Sequence, residues 1–538
     1  MSLFGLFDIA KSAIFASQTA LSVTSHNIAN VNTPGFNRRE ALFAVNSVAL
    51  SGNLFGSGVT ITGIKRYYDQ FIQTQLLGQY QNYGKSSALN QTLSQIEQIF
   101  NEAKNIGLAV PLTDFFNAWQ EVATNPESFV QRNGLLLKAN SLVLAAKQMD
   151  RGITENLESI NETIDNVAMR VNAIASDIAA INGKIPLDES GSQGATAHDL
   201  RDQRDVLMNE LATLVDFSSY ADENGLITIT VGMRNLVSGE TSNSLSTRNN
   251  EEGDKDLYLD GINITENVRK GQLGGLISVR DTIRTNSLND LRRLTASLIQ
   301  EINMLHRSGY GLDGTTDNDF FSPLQLSTRD FSSGADMTAT ITDPDQLTLD
   351  EYSIQFDASG NYLVYNKQNG ALVTSGPYVS GDPISFDGIE IVVTGAVTPA
   401  DKFTVSPLAD VIKNFEVAIA DRQKIAAASS NTALPGDNSN ALLIAQLSQN
   451  AIANLGGATF SSYYGGLVST IGSMSRAASD SFTFDDNLLS ELNTKRESLS
   501  GVSLDEEAAN LIRFQRSFEA GAKMIQVTDE LLQTLLNL

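Results

Sequence analysis

Two patterns rich in glycine and aspartate have the residue types of a ligand site. Residues 309–314 (GYGLDG) match the G-x-G-x-x-G pattern of a dinucleotide-binding loop, which requires a strand before it and a helix after it. Here the pattern follows a predicted helix and leads into an aspartate-rich loop, so we interpret the glycines as turn residues. Asp313, Asp317 and Asp319 in that loop lack the spacing and the closing glutamate of an EF-hand. We interpret them as surface loop residues.

Nucleophile and metal-ligand patterns are equally incomplete. Residues 501–505 lack the last glycine of a nucleophile elbow, and Ser503 instead predicts a helix N-cap with Glu506 three residues later. Three histidines are scattered over predicted helix faces without a second ligand at metal-binding spacing: His26, His198 and His306. The chain has no cysteine, which excludes disulfides, thiolate catalysis and cysteine metal sites. The sequence therefore predicts no enzyme activity, no metal and no cofactor.

The composition is that of an acidic chain with several packed domains. Its 538 residues exceed what one hydrophobic core organises, and 41% of them are hydrophobic. With 62 acidic against 37 basic residues the net charge is −25, so we expect neither nucleic acid nor an anionic membrane as a partner. No apolar run is long enough to span a membrane. Asp8 and Lys11 interrupt the segment where a cleaved signal peptide has its apolar region.

Without a site for chemistry, the two ends of the chain become the most informative elements. A predicted N-terminal helix has a seam with spacings of four and three, in which small or polar residues separate these apolar ones: Leu3, Phe7, Ile14, Leu21 and Ile28. The last helix repeats the spacing with Leu511, Phe518, Ile525 and Leu532. Its alternate positions are again weak: Ala508, Gln515, Ala522 and Asp529. These seams predict either two ordinary surface helices or a helix pair that completes its burial against other copies of the chain.

The N-terminal helix is predicted to end in a defined turn. Pro34 cannot continue a helix, and it pushes Thr33 into an extended conformation. Pro34 and Gly35 then occupy the central positions of a type II turn, the second of which requires positive φ. The predicted turn segment comprises Asn30, Asn32, Thr33, Pro34, Gly35 and Phe36.

The longest periodic pattern lies in the middle of the chain. Nine apolar residues follow two heptad registers: Ile153, Leu157, Ile160, Ile164, Val167, Val171, Ile174, Ile178 and Ile181. Gly183 and Pro186 predict the end of this helix. A return helix has four leucines on one face: Leu200, Leu207, Leu211 and Leu214. Together the two segments predict a long antiparallel helical hairpin.

Alternating apolar residues and turn signals predict two β segments, and helices are predicted to resume at about Val411. The predicted fold is multidomain α+β: a long helical, coiled-coil-like bundle made from both chain ends and a central helical hairpin, with inserted mainly-β outer domains. Residues 1–40 and 500–538 form the predicted terminal helical domain. Residues 41–215, 270–322 and 411–499 form an elongated helical bundle, 216–269 a small β-rich subdomain, and 323–410 an acidic outer β domain.

Residues 25–36 (SHNIANVNTPGF) resemble the signature of the axial proteins of the bacterial flagellum, which comprise the rod, hook and hook-associated proteins. The family usually has tyrosine where this chain has Phe36. Three further stretches are similar to hook-associated members of the family at the hook–filament junction: residues 114–119, residues 271–276 followed by Arg280 and Asp281, and residues 500–511. The resemblance covers roughly the first 310 and the last 100 residues.

The resemblance implies a structural protein that joins hook to filament. It implies self-assembly into a helical array whose inner tube is built by the paired terminal helices. It also implies the hook protein below, hook-associated protein 3 above, and a cytoplasmic export chaperone on the C-terminal helix. The implied position is extracellular, at the hook–filament junction, after export by the flagellar type III apparatus without a cleaved signal peptide. Two alternatives stay open: another axial protein such as the hook protein, and a secreted adhesin or hydrolase acting through the 323–410 β domain.

Overall fold

The structure is a computed structural model that describes residues 3–46, 58–101, 107–190, 197–223, 225–332 and 334–536. The chain divides into two compact units. The first unit comprises Met1–Leu89, Thr163–Ile277 and Ser479–Leu538, and the second comprises Asn90–Glu162 and Ser278–Ala478. The fold is multidomain α+β, with long terminal helices and inserted sheets, as the sequence predicts. The four predicted domain ranges stay a prediction.

Long helices dominate the described residues. They are α1 (Leu3–Ala29), α2 (Gln70–Ile99), α3 (Ala109–Thr124), α4 (Phe129–Ser190), α5 (His198–Leu214), α6 (Gly271–Thr282), α7 (Asn289–Ser308), α8 (Ser439–Gln446), α9 (Phe460–Ser500) and α10 (Leu504–Leu536). A π-helical segment, Ile283–Leu288, joins α6 to α7. None of the helices in the described ranges has the length and hydrophobicity needed to cross a membrane.

The strands fall into three groups along the chain. The first group is β1 (Arg39–Val45) and β2 (Val59–Arg66). The second is β3 (Ser218–Ala221), β4 (Ile227–Val231), β5 (Arg234–Ser238), β6 (Thr241–Ser242), β7 (Leu245–Asn249), β8 (Lys255–Leu259) and β9 (Ile262–Asn263). The third is β10 (Ser327–Asp330), β11 (Ala335–Ile341), β12 (Tyr352–Phe356), β13 (Asn361–Asn366), β14 (Leu372–Pro377), β15 (Pro383–Phe386), β16 (Ile389–Gly395) and β17 (Lys402–Ser406).

In the first unit, short antiparallel sheets accompany helices. β1 and β2 form a two-stranded sheet, β3 to β6 a second sheet, and β7 to β9 a third. The predicted helical hairpin is present, because α5 runs antiparallel to the last turns of α4. Arg204 Nη1 donates to Asn182 Oδ1 at 2.8 Å, and the Arg201 guanidinium pairs with Glu189 at 3.0 Å.

The heptad pattern correctly predicts the buried face of α4. All nine heptad residues between positions 153 and 181 are buried. The prediction that Gly183 and Pro186 end this helix is wrong, because α4 continues through Pro186 to Ser190. Ile185, next to the proline, is fully buried. Packing of this last turn therefore outweighs the backbone hydrogen bond that proline removes.

The second unit has two cores. Trp119 on α3 lies in the first of them, with its ring centroid 5.2 Å from Phe320 and 6.2 Å from His306. The second core lies among the strands of the third group. Sheet β10-β17-β12-β13-β14 and sheet β11-β16-β15 contribute to it, and Tyr352, Ile391 and Phe403 are among its fully buried members.

The prediction that helices resume at Val411 is wrong. Between β17 and α8 the chain contains only 3-10 turns, at Arg422–Lys424 and Asn431–Ala433. Part of this segment lies extended beside the chain that precedes β10, with antiparallel bridges between Val417 and Phe321 and between Ala428 and Tyr310. Apolar residues recur in this segment at intervals that also occur on the buried face of a helix. Here they are buried by an irregular chain instead, so their spacing alone is misleading.

Candidate assembly interface

The two terminal helices pack against each other along their length in the first unit, antiparallel. Ile14 of α1 lies beside Gly521 of α10, and Ala20 lies in one apolar cluster with Phe514. A Cβ on Gly521 would lie 2.9 Å from Ile14 Cγ1. This distance is too short for a normal contact, so the two helices approach each other closely at a glycine.

Small side chains form the buried face of α1. Ala10, Ser17, Ala20 and Thr24 are buried. Three of them, Ala10, Ser17 and Thr24, are the weak positions of the predicted seam, and the Ala10 carbonyl oxygen lies 3.5 Å from where a Cβ on Gly521 would be. Small residues allow two helix backbones to come close together, so the face that appears thin in the sequence is the one in close contact.

The large predicted assembly residues are only partly covered within the chain, including Ile14, which lies beside Gly521. On α1, Ile14, Leu21 and Ile28 are half-buried and Phe7 is exposed. On α10, Leu511, Ile525 and Leu532 are half-buried and Phe518 is exposed. Leu3 begins α1, but its side chain lies outside the described residues.

The weak alternate positions predicted for α10 are wrong by one residue. Ala508, Gln515, Ala522 and Asp529 are exposed. The residues one position earlier, Glu507, Phe514, Gly521 and Thr528, are buried or half-buried instead. Gln515 and Asp529 are polar, so they do not indicate which face of α10 is buried. Phe514 is apolar and is the better candidate for a buried position.

The sequence reasoning missed large apolar side chains on the outer surface of the helix pair. Phe4 is 73% exposed and Phe15 is 58% exposed on α1. Leu504, Ile512 and Leu531 of α10 are also exposed. Phe4 and Phe15 are eleven residues apart, which is about three helical turns, so they share a stripe that the four-three seam does not include. Clustered exposure of this kind marks interaction surfaces.

The turn after α1 has the geometry of the predicted type II turn. The Phe36 N–H donates to the Thr33 carbonyl at 3.2 Å, and Gly35 has φ of 79°. A Cβ at Gly35 would overlap Val206 Cγ2 on α5. Glycine is therefore required there both by the backbone conformation and by the close approach of α5.

Polar side chains around the turn bond within the chain or face solvent. Thr33 Oγ1 donates to Asn30 Oδ1 at 3.1 Å, and Asn30 Nδ2 donates to the His26 carbonyl at 3.0 Å. Asn32 and Pro34 are exposed. Beside Pro34 opens a groove of about 610 Å³ whose far wall belongs to α4 and α5.

Phe36 is buried where the turn meets β1. Its ring centroid lies 5.5 Å from the ring of His26, and the Arg39 guanidinium lies 5.1 Å from the same centroid. A ring without a hydroxyl fits this position between an imidazole and a guanidinium.

Two aspartates on α5 form ion pairs with arginine residues of β1 and β2. Asp202 accepts from Asn37 Nδ2 at 2.5 Å and pairs with the guanidinium groups of Arg39 at 3.3 Å and Arg66 at 2.6 Å. Asp205 also pairs with Arg66, at 2.5 Å. Burial raises the pKa of the Asp205 carboxyl, and the charge of Arg66 opposes that shift.

A second ion cluster ties the turn to α10. Arg38 pairs with Glu506 at 2.9 Å and with Glu507 at 2.8 Å, and the Glu507 side chain is buried. Ser503 caps α10, as predicted, by accepting from the Glu506 N–H at 3.5 Å. The sequence analysis did not identify these ion pairs. Asp199, Asp202 and Asp205 recur every three residues on one helix, which is a signal that could have indicated them.

Within the described ranges, no group of three or more histidine, aspartate or glutamate side chains could hold a metal ion. The site is a packing surface. It consists of the closely packed helices α1 and α10, the turn that joins α1 to α5 and β1, and exposed aromatic side chains on the outer face of the helix pair.

Four family models match the chain. The model described as "Flagellar hook-associated protein FlgK helical domain" matches residues 93–321, and "Flagellar hook-associated protein 1, D2-like domain" matches 326–407. "Flagella basal body rod protein" matches residues 7–37, which contain most of α1 and the whole turn. "Flagellar basal body rod FlgEFG protein C-terminal" matches residues 496–538, which contain α10.

Similar proteins extend over the whole chain. Flagellar hook-associated protein 1 of Escherichia coli strain K12 is 30% identical over 547 residues, covering 99% of both chains. The protein of the same description from Bacillus subtilis strain 168 is 26% identical over 550 residues, covering 100% of this chain and 98% of its own. The structure of the flagellar hook junction protein FlgK from Burkholderia pseudomallei is similar with a TM-score of 0.67 at 18% identity. It matches 79% of this chain and 100% of that chain.

Proposed function

The chain belongs to the flagellar hook-associated protein 1 family, and from this premise we propose how it is built into the flagellum. It is a structural protein of the hook–filament junction of the bacterial flagellum, where it assembles with other axial proteins, and it is not an enzyme. In our proposal the assembling element is the α1/α10 pair, which forms the inner wall of a tube. The four domain ranges predicted from the sequence are part of this proposal.

The observation that carries the proposal is the exposure of Phe4 and Phe15 on the outer face of the pair. Burying a phenylalanine side chain contributes about 1.5–3 kcal/mol, so two such rings on one stripe favour a contact that covers them. Helices α1 and α10 contain 27 and 33 residues, which makes them about 40 and 50 Å long. Within one chain the two helices pack against each other and against β1 and β2, and these contacts leave Phe4 and Phe15 exposed.

The partner on this face is a second copy of the chain or a neighbouring axial protein. Contacts between different faces of identical subunits are heterologous, and they generate helical arrays and not closed dimers. We place the hook protein below the array and hook-associated protein 3 above it.

Before assembly the same face needs a cover. Ile512, Met524, Val527 and Leu531 are exposed on α10, and we propose that a cytoplasmic export chaperone binds this helix. In the same proposal the flagellar type III apparatus exports the chain without cleavage of a signal peptide.

The test uses the double variant Phe4→Ser/Phe15→Ser, with Tyr220→Ser as the matched control. Tyr220 is 62% exposed on β3, so the control removes an exposed aromatic ring outside the terminal pair. Purified full-length proteins are mixed with isolated hooks that lack caps and filaments, and the hooks are examined by electron microscopy. We expect added density at the distal hook end for the wild type and the control, and none for the double variant. Density for a folded double variant equal to that of the wild type would overturn the proposal.

A further inference from the structure

The second unit carries an apolar ridge on α4. Val130, Leu137 and Leu144 are between 58% and 75% exposed. They recur every seven residues, which is about 10.5 Å along the helix, so they form one straight stripe. Asn133 and Asn140 are exposed between them. The nearby Lys138 ammonium is paired with Asp114 at 2.7 Å. Apolar residues that recur every seven positions form the contact surface between two helices that pack along each other.

The part of α9 that belongs to the same unit, residues 460–478, has an exposed surface with the opposite character. Ser462, Gly465, Gly466, Ser469 and Ser473 are exposed on it, and we name this set the flat face. Ser462 and Ser469 are seven residues apart, and so are Gly466 and Ser473, which matches the repeat of the apolar ridge. The flat face therefore has small residues at the same seven-residue spacing as the side chains of the apolar ridge.

The glycines of α9 have no packing role within the chain. At Gly465, Gly466 and Gly472, no neighbouring atom of the described residues lies within 4 Å of where a Cβ would be. Glycine is a poor helix former, so three of them inside one helix weaken it. A close approach by another molecule would account for these glycines, because a side chain there would hold that molecule away.

The hydroxyl groups of Ser473, on the flat face, and of the neighbouring Thr470 already have acceptors in α9. Thr470 Oγ1 donates to the Gly466 carbonyl at 2.9 Å, and Ser473 Oγ donates to the Thr470 carbonyl at 2.8 Å. These hydroxyl groups are bonded within their own helix. An apolar side chain can therefore cover them without leaving a donor unpaired.

Charge indicates which molecule covers the two surfaces. Copies of a chain with net charge −25 repel each other, so they can meet closely only where charges are missing. Residues 460–475 contain no charged side chain, and the ridge residues Val130, Leu137 and Leu144 are apolar. The charges beside the ridge are already bonded within the chain, Lys138 to Asp114 and the Arg422 guanidinium to Asn133 Oδ1 at 3.4 Å. Every copy carries both surfaces, one with projecting apolar side chains and one with only glycine and serine.

We propose that the apolar ridge of one copy packs on the flat face of a second copy. The contact is heterologous, so it repeats from copy to copy around or along the assembly. This inference rests on the proposed function, which requires such a repeating contact between identical chains.

The first test uses cysteine pairs, because the natural chain has no cysteine. Full-length protein with Leu137→Cys and Ser469→Cys is assembled into flagella and treated with a mild oxidant. We expect a ladder of covalent dimers, trimers and larger species from the double variant and only monomer from each single variant. A homodimer from Leu137→Cys alone, or no ladder from an assembled double variant, would overturn the proposal.

The second test fills the flat face. Gly466→Leu should raise the thermal unfolding midpoint, because leucine forms helix better than glycine. Incorporation at the hook end should nevertheless fall at least tenfold. The control Ala358→Leu adds bulk at an exposed turn of the same unit and should assemble normally. If Gly466→Leu assembles like the wild type, the inference fails and the proposed function stands. If the wild type itself does not add to hooks, the proposed function fails, and the inference with it.

Discussion

The side-chain amide of Asn27 in α1 pairs with both backbone groups of Arg39 in β1. Asn27 Nδ2 donates to the Arg39 carbonyl at 2.8 Å, and Asn27 Oδ1 accepts from the Arg39 N–H at 3.1 Å. The amide therefore acts as one residue of a neighbouring strand would. Asn27 is fully buried, and it holds α1 to the β1/β2 sheet across the turn.

We predict that Asn27→Asp destabilises the first unit by about 2–3 kcal/mol, because a carboxylate cannot donate to the Arg39 carbonyl and leaves it unpaired. The matched control is Asn32→Asp on the exposed part of the turn, which should change stability by less than about 0.5 kcal/mol. Urea unfolding, with hydrogen exchange of the β1 amides as the local probe, measures both. Equal effects of the two variants would contradict the role assigned to Asn27.

Gly521 sets the distance between the terminal helices. Gly521→Leu should separate α1 from α10, because even a Cβ would press on Ile14. Ala520→Leu makes a comparable change at the adjacent, exposed position and should leave the pair intact. We expect amide exchange in α1 to accelerate at least tenfold in the first variant only. Unchanged exchange in Gly521→Leu would show that the helices are not in close contact at this position.

Asp202 should be the ion-pairing residue most sensitive to substitution. Asp202→Asn keeps the shape but removes the charge opposite Arg39 and Arg66, whose side chains are largely buried. Breaking a buried ion pair costs about 3–5 kcal/mol. Asp199 also pairs with Arg39, but its side chain is 64% exposed, so Asp199→Asn should cost less than about 1 kcal/mol. Thermal unfolding of the two variants tests the difference, and similar midpoints would contradict it.

His306 should make the second unit sensitive to acid. Burial, together with a smaller effect of the nearby Arg132 charge, lowers the pKa of this imidazole to about 4, although the hydrogen bond to the Asn318 carbonyl opposes the shift. The neutral ring fits its site, since Nδ1 donates to the Asn318 carbonyl at 2.6 Å and Nε2 accepts from the Ala426 N–H at 2.9 Å. The unfolded chain binds this proton near pH 6.5 and the folded chain does not.

Stability from this group is therefore complete above pH 6.5 and falls by about 3 kcal/mol as the pH drops to 4. His306→Gln should remove that part of the pH dependence, although it lowers stability at neutral pH. His198→Gln, at a half-buried histidine of the first unit, should leave the pH dependence of the second unit in place. Unfolding midpoints measured between pH 4 and 7.5 provide the test. A slope that persists in His306→Gln would assign the effect to another group.

The sequence predicts best where apolar residues are large and regularly spaced. The heptads of α4 fulfil both conditions, and all their members are buried. On the terminal helices the close contact involves small residues such as Ala10 and Gly521, which carry little hydrophobic signal. The pattern there finds the helices but not the register of α10. At Pro186 and in the segment after Val411, tertiary packing determines the secondary structure. Local sequence patterns therefore give the wrong prediction in both places.

The ion pairs of the turn were harder to predict because they join residues far apart in the sequence. Arg66 and Asp202 are separated by 136 positions. A single sequence contains no signal for such a pairing beyond the regular spacing of the aspartates on α5. The eleven-residue spacing of Phe4 and Phe15 in the sequence places both rings on one side of a helix. Only the structure shows that α10 leaves them uncovered.

Thiol accessibility at position 15 tests the central claim most directly. Phe15→Cys introduces a single thiol into a cysteine-free chain, and Tyr220→Cys provides the control on β3. A maleimide reagent should label both variants as free protein. In assembled flagella it should label Tyr220→Cys and leave Phe15→Cys protected. Equal labelling of Phe15→Cys before and after assembly would contradict the claim that the outer face of the terminal helices is the contact between subunits.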